Sequence, residues 1–433
     1  MTDRAIAAAP APSPAGRSSV ATNATVAALS RPWVVALLSA AALIYAVGML
    51  RSVPRGFDRA DFSCYYLWGL AARDNLNPYT ADYEPMAAVL HLYTQGMDHA
   101  DYPPTFILLF EPLAALSPRT AYRIWIGLNV AALAASLFLL LGKDSGLDLR
   151  IRLILSALAI FYYPLTVHFH WGQPQLILLL MLLLVRRWLE RGREAAAGGM
   201  LAIAGLIKIF PLFMVGYLMA ARRWRAVFLT AAAMAIGAAA TVILIGLPSS
   251  IAFVARLTNV FSGGWLAAHQ KADSVELVSL GTFVSRIFVG VTGARPGSAL
   301  DIGRPIAVVI AALALLFVTA RATRAKSADR NRDRSCFALW IVTTILLSPT
   351  AWIHYMVLLL VPYAELAAAA NRGEASRRAL WMGGASYVLT QLSPGVLTAL
   401  SILPAAVVGP LAWSWFPCLT LLAYGSAYCL TVD

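Results

Sequence analysis

The chain has 433 residues, of which 60% are hydrophobic and only 13% charged, with a mean hydropathy of +0.71. That composition excludes an ordinary soluble domain. The net charge of +13 does not point to nucleic acid, because Arg and Lys gather in short turns between apolar runs, as in cytoplasmic loops of membrane proteins. The expected fold class is therefore all-α integral membrane, a multi-spanning helical bundle, since lipid leaves no partner for an unsatisfied backbone group.

Residues 1–31 are rich in Ala, Pro and Ser and carry Arg4, Arg17 and Arg31. No apolar core precedes Arg31, so a disordered cytoplasmic tail is expected rather than a signal peptide, with the transmembrane domain at 32–433. The first span is read as Pro32–Leu50. A basic tail before it places the N-terminus inside and the next loop outside. That first extracytoplasmic loop, 51–118, gathers Asp58, Asp61, Asp74, Asp82, Glu84, Asp98 and Asp101 beside many aromatics. The whole chain has only 21 acids, so the loop concentrates them at the bilayer surface. Thr105–Leu116 is read as a short interfacial helix, and Ala121–Leu141 as the span that descends to the basic turn Lys143–Arg152.

Further basic turns follow at Arg186–Arg193, Arg222–Arg225, Arg321–Arg334 and Arg372–Arg378. Several intervals between them are too short for two full spans and a loop. Each of these has a break near its middle: His168 to Pro174, Lys208 to Pro211, and Ser348 to His354. Short helices should then meet at polar tips, all on the side of the acidic loop. Polar groups at membrane depth are tolerated where they are buried in protein or line a wet cavity, so an outer-face cavity is expected. A second large extracytoplasmic loop is read at 248–303. This counting gives about 12 transmembrane helices and an inside C-terminus.

Asp58 and Asp61 lie three apart, so a helix there would put both on one face. Either carboxylate can act as general base on a hydroxyl nucleophile; a solvated acid or a salt bridge to Arg55 or Arg59 is the plain alternative. Aromatic neighbours Phe62, Tyr65 and Tyr66 favour a functional role for Asp61. Lys208 is the single charge in the run AGGMLAIAGLIKIFPLFMVGYLMA, where an ammonium needs an anion or a wet cavity. A phosphate is one such anion; snorkelling to the interface is the alternative. His354, after Trp352 at a helix break, suits a phosphate or a proton shuttle, or a structural bond to backbone. His168, His170 and Gln173 cluster at another tip without the spacing of a zinc site, so sugar or phosphate contact is expected and no metal. Tyr102-Pro103-Pro104 reads as a rigid helix entry. None of Cys64, Cys336, Cys418 and Cys429 forms a CxxC pattern, and no disulfide is expected at Cys64. There is no GxxxxGK[ST] loop, so the activated substrate is expected to be lipid-borne rather than a nucleotide.

In order, Asp61-Phe62…Tyr65-Tyr66, Asn77-Pro78-Tyr79, Tyr102-Pro103-Pro104, Gly172-Gln173, Lys208…Pro211 and Ser348-Pro349…Trp352…His354 resemble glycosyltransferase family 87. These are GT-C-type integral membrane enzymes, similar to polyprenyl-phosphate-mannose-dependent mannosyltransferases and related arabinofuranosyltransferases of bacterial envelopes. The resemblance spans roughly residues 55–360. It implies a polyprenyl-phosphate-linked sugar donor, a lipid or glycan acceptor, and inverting transfer without a metal or other cofactor, at the outer face of the plasma (inner) membrane. Carried over by motif, Asp61 is the base, and Lys208 and His354 meet the donor phosphate; Tyr65, Tyr66, Tyr102, His168, His170, Gln173 and Trp352 are read as substrate contacts. The sequence departs from relatives at Ser274–Leu280, where they show Asn next to Ser-Leu, and in the extra acid Asp58. A multi-spanning solute or lipid-linked-sugar transporter is the alternative, since broken helices with polar tips also describe carriers; the paired repeats of many carriers are not visible here. A non-catalytic lipid-binding protein would not need the acid-aromatic loop.

Overall fold

The computed structural model describes residues 31–53, 56–94, 100–261, 277–292, 303–324, 330–391, 422 and 425. All but the last residue of the expected tail at 1–31, much of the second loop and most of the chain after Gln391 lie outside these residues. Among them the protein is helical, with one isolated bridge pairing Leu277 with Trp352.

In chain order the helices are α1 (Pro32–Ser52), α2 (Asp61–Arg73), α3 (Glu84–Leu90), α4 (Pro104–Phe110), α5 (Pro118–Leu141), α6 (Leu149–Phe161), α7 (Tyr163–Trp171), α8 (Gln175–Glu190), α9 (Glu194–Ile207), α10 (Val215–Ala220), α11 (Trp224–Ile245), α12 (Leu247–Phe261), α13 (Leu280–Thr292), α14 (Gly303–Arg324), α15 (Arg330–Leu347), α16 (Leu360–Asn371) and α17 (Arg377–Thr390). Short 3₁₀ turns at Phe57–Arg59, Phe210–Met214 and Ile353–Leu359 link several of them.

Five helical stretches among the described residues are long and apolar enough to cross a membrane: α1, α5, α11, α14 and Ile353–Asn371, which joins a 3₁₀ turn to α16. The pair α6 and α7, bent by 50° at a single break, makes a sixth if counted as one span. Their outward side chains match a lipid solvent. Ile243, Leu244, Phe228, Phe138 and Ile310 are exposed, which water would not favour but hydrocarbon does. The core lies instead around α8 and α15. Leu176, Leu178, Leu179, Leu182 and Leu183 are buried on one, and Phe337, Trp340, Ile341 and Ile345 on the other.

Helix ends follow local chemistry. Ser117 caps α5 through Thr120 N at 3.4 Å, ahead of Pro118 at the first helical position. Asp148 caps α6 through Ile151 N at 2.9 Å. Gly172 closes α7 with φ of 65°, a left-handed end that glycine takes without strain. Close backbone approach requires glycine at Gly69, where a Cβ would lie 2.6 Å from the Phe110 carbonyl carbon.

All three expected breaks are present. α7 and α8 are separated at Gly172–Pro174, α9 ends before Lys208, and α15 ends before Ser348-Pro349. Two expectations change. Asp58 and Asp61 do not share a helix face: Asp58 sits in the separate turn Phe57–Arg59, and Asp61 opens α2 after extended Ala60. The stretch 105–116 is not simply an interfacial helix. α4 is driven inward, with Phe106, Ile107 and Phe110 buried, because its aromatic face packs on Tyr65 and Trp125. The stretch read as the second loop begins with α12 and also holds α13.

At the end carrying the basic turns, α8, α15 and α16 are tied by charge. Glu190 meets Arg334 at 2.7 Å and Arg330 at 2.5 Å, and Arg186 binds Glu365. Arg187 reaches Asp144 at 2.7 Å. That guanidinium's hydrogen bond holds the Asp144 carboxyl below its ordinary value.

Candidate active site

A cavity of about 370 Å³ lies where the three polar tips meet the first loop. Helix α2 supplies one wall. Asp61, Tyr65 and Trp68 fall at i, i+4 and i+7, one helical face, and all three line the cavity. The opposite face fixes that rotation. Phe62 packs on Tyr122 with ring centroids 4.8 Å apart, and Tyr66 donates to Leu116 O at 2.8 Å. Asp61 in the first turn also sits favourably against the helix dipole.

The next wall is Asp101-Tyr102-Pro103. Pro103 and Pro104 start α4, so Tyr102 is held at a rigid entry. Its backbone carbonyl accepts from Tyr79 at 2.7 Å, and burial pushes the Tyr79 phenol above its ordinary value. Asp101 pairs with Arg256 on α12 at 2.6 Å. Leu257, Val260 and Phe261 on α12 also line the cavity, giving one side of the site an apolar surface.

The third wall comes from the tips. Trp125 donates to Gly172 O at 2.6 Å and so fixes the turn carrying Gln173. Lys208 is the extended residue that ends α9, with φ −153° and ψ 135°, which turns its side chain out of the helix line. Its Nζ lies 2.5 Å from the Tyr102 hydroxyl and 4.4 Å from the ring centroids of both Tyr102 and Tyr355. Two aromatic faces thus hold the ammonium by cation–π attraction. Ser348, Thr350, Trp352 and His354 complete the wall. His354 is buried, and its Nε2 makes no hydrogen bond among the described residues. Val278 N donates to Ala351 O at 2.7 Å, so the described end of the Ser274–Leu280 stretch braces this tip.

The structure brings together Asp61, Tyr65, Tyr102, Gln173, Lys208, Trp352 and His354. Four other candidates do not line the cavity. Asp58 is in the preceding turn, and its carbonyl accepts from Tyr93 N at 2.8 Å. Tyr66 points to the α4–α5 connection. His168 is buried, with Nε2 3.0 Å from Asn129 Oδ1, and His170 is exposed, edge-on to Trp171 at 5.0 Å. Two residues apart on α7, the histidines face nearly opposite ways, one into the core and one outward. Sequence reasoning passed over Trp68, Asp101, Trp171, Arg256, Thr350 and Tyr355. A signal existed for Asp101, which adjoins the Tyr-Pro-Pro entry, and for Arg256, a lone charge in an apolar helix.

Among the described residues no three His, Cys, Asp or Glu side chains gather as a metal ion would need. Cys64 and Cys336 are both buried, and the Cys64 thiol donates to Thr94 O at 3.4 Å.

Apolar spans around a cavity that combines a carboxylate, an ammonium, an imidazole and packed aromatic rings define a membrane protein with a polar site among its helices. The family model of glycosyltransferase family 87 matches residues 101–349, more than half of the chain, and the protein belongs to that family. It is a membrane glycosyltransferase. Asp101, Gln173 and Lys208 lie inside the matched stretch, Asp61 and His354 outside it. No curated protein matches the chain significantly.

Proposed function

We propose that the protein is a GT-C-type transferase that moves a sugar, mannose or another hexose, from a polyprenyl-phosphate-linked donor to a lipid or glycan acceptor. The observation that carries this reading is that Asp61 and Lys208, far apart in sequence, face one cavity. The donor phosphate sits on Lys208, with the His354 imidazole as its second partner, and the prenyl chain runs along the apolar face offered by α12. Tyr65 and Trp352 flank the sugar. Asp61 takes the proton of the acceptor hydroxyl as its oxygen attacks the anomeric carbon. The bond from that carbon to the phosphate oxygen breaks, its electron pair leaves on the phosphate, and configuration inverts. The leaving charge meets the Lys208 ammonium already in place, so little reorganisation is needed. We assign the cavity to the extracytoplasmic face of the plasma (inner) membrane, with the N-terminus inside. Half-length helices meeting at the tips bring the crossings to about 12. No metal or other cofactor enters this scheme.

Asp61→Asn keeps side-chain size and removes basicity. Transfer should fall by about 10²–10⁴-fold with donor binding little changed, while Asp58→Asn loses far less. If neither substitution slows transfer, Asp61 is not the base. Sidedness is checked by cysteine labelling from outside in a cysteine-free background: Asn77→Cys should react and Ser327→Cys should not. The reverse pattern would place the cavity on the inner face.

A further inference from the structure

One unbroken set of hydrogen bonds joins two charges of the cavity, Lys208 and Asp61. Lys208 Nζ donates to the Tyr102 hydroxyl at 2.5 Å. Tyr102 donates to Gln173 Oε1 at 3.1 Å. Gln173 Nε2 donates to Asp61 Oδ2. The chemistry of each group fixes these directions. An ammonium only donates, and an ionised carboxylate only accepts, so the Gln173 amide must turn its nitrogen to Asp61 and its oxygen to Tyr102. Tyr65, 3.1 Å from the Tyr102 hydroxyl, can then only donate to it, because the Tyr102 proton is committed to Gln173. Every bond runs from cation to anion, and such aligned chains polarise and strengthen one another.

We propose that Tyr102 and Gln173 form a one-directional relay from Lys208 to Asp61, with Gln173 as the positioning residue that orients the base and holds it in its ionised, acceptor-only form. This rests on the reading of Asp61 as the base, and it moves Gln173 from substrate contact to support of the machinery. The Gln173 amide is committed at both ends, to Asp61 and to Tyr102. The side chain is nearly fully buried, at 2% exposure, and its turn is held by Trp125. A contact that recognised substrate would instead need a polar atom turned toward the ligand.

The relay has a consequence for pH. A donor on a carboxylate favours the charged form, so removing it raises proton affinity, and the base becomes available only at higher pH. The other titratable and charged groups around Asp61 are Tyr65 on its own helix, Asp101 and Tyr102 before α4, Lys208 after α9, and His354 and Tyr355 after α15. Arg256 on α12 is paired with Asp101, Arg119 on α5 lies over the Phe57 ring, and Asp58 precedes the helix. None of these is altered in the Gln173 variants, so a shift reports the Gln173 contact.

The test is the pH profile of transfer by the full-length protein in detergent, with a polyprenyl-phosphate sugar as donor. Gln173→Met should lower kcat by about 10-fold or more, leave the donor KM within about 2-fold, and move the acid limb up by about one pH unit. Gln173→Glu, which sets a second carboxylate against Asp61, should move it further in the same direction. Tyr102→Phe keeps the ring and removes the hydroxyl, and should give a smaller shift of the same sign. It serves as the independent probe if a Gln173 variant fails to fold. An acid limb that stays in place in the folded variants, while Asp61→Asn is inactive, overturns the relay alone. A raised donor KM at unchanged kcat also overturns it and returns Gln173 to substrate binding. Full transfer by Asp61→Asn removes the base, and with it both the relay and the reading beneath it.

Discussion

Helices α8, α15 and α16, with the turn that precedes α16, have two ends that treat charge differently. At the end with the basic turns, carboxylates meet guanidiniums directly. Glu190 is held between Arg330 and Arg334, and Arg186 binds Glu365. At the cavity end, Lys208 is held by a phenol and two ring faces, and Gln173 stands between it and Asp61. A buried charge paired with its opposite is a fastening, and removing one partner strands the other. A charge held by neutral groups keeps most of its field for a ligand. The basic end fastens its charges in pairs, while the cavity end, beside its pair of Asp101 and Arg256, keeps Lys208 available.

Substitutions at the two ends should therefore separate stability from activity. The largest effect is expected at Glu190. Glu190→Ala leaves Arg334 and Arg330 without their shared carboxylate and should cost about 3–5 kcal/mol of stability, read as a fall in Tm in detergent. Transfer per folded molecule should stay near that of the parent. A variant that melts normally but has lost transfer would break the comparison. Next comes Lys208→Met, which removes a charged hydrogen bond to the donor. It should weaken donor affinity by about 1.5–3 kcal/mol with Tm unchanged or raised. Unchanged affinity would make Lys208 an interfacial anchor instead. The smallest effect is expected at Arg187→Ala. Its pair with Asp144 is exposed to water and screened by salt. The Asp144 carboxyl is lowered in the folded state, so the pair stabilises above the ordinary carboxylate range and loses that contribution as pH falls through the folded value. Arg187→Ala should erase only that small acid-side dependence in a pH series of melting curves.

Much of this organisation is legible in the sequence because backbone chemistry enforces it. Pro174, Pro211 and Pro349 cannot donate a helical hydrogen bond, and Gly172 takes a left-handed end, so the chain must break where it does. Polar residues at those breaks then have one place to go, which is why Gln173, Lys208 and His354 converge. Side-chain direction is less legible. Tyr65 and Tyr66 are equivalent neighbours in the sequence, yet packing of Phe62 on Tyr122 turns one into the cavity and the other away. His168 and His170 read as a pair, but a helix sends them to opposite sides. Asp58 and Asp61 read as one face because nothing in RGFDRADF announces that the helix starts only at Asp61. Arg256 was hidden in a stretch read as loop, where a lone cation in an apolar run carries the same meaning that made Lys208 conspicuous.

The ionic fastening also lies at the far end of a long lever. Helix α8 has 16 residues, which at 1.5 Å per residue makes an arm about 24 Å long from Glu190 to the tip that carries Gln173. Leu176, Leu178, Leu179, Leu182 and Leu183 are buried along that arm, so packing holds it near the tip as well as at the fastening. Tilting such an arm by only about 5° swings its tip by roughly 2 Å, more than the tolerance of a hydrogen bond. A fastening at the far end could not by itself hold Gln173 against Asp61 to that tolerance; the leucines buried near the tip do so.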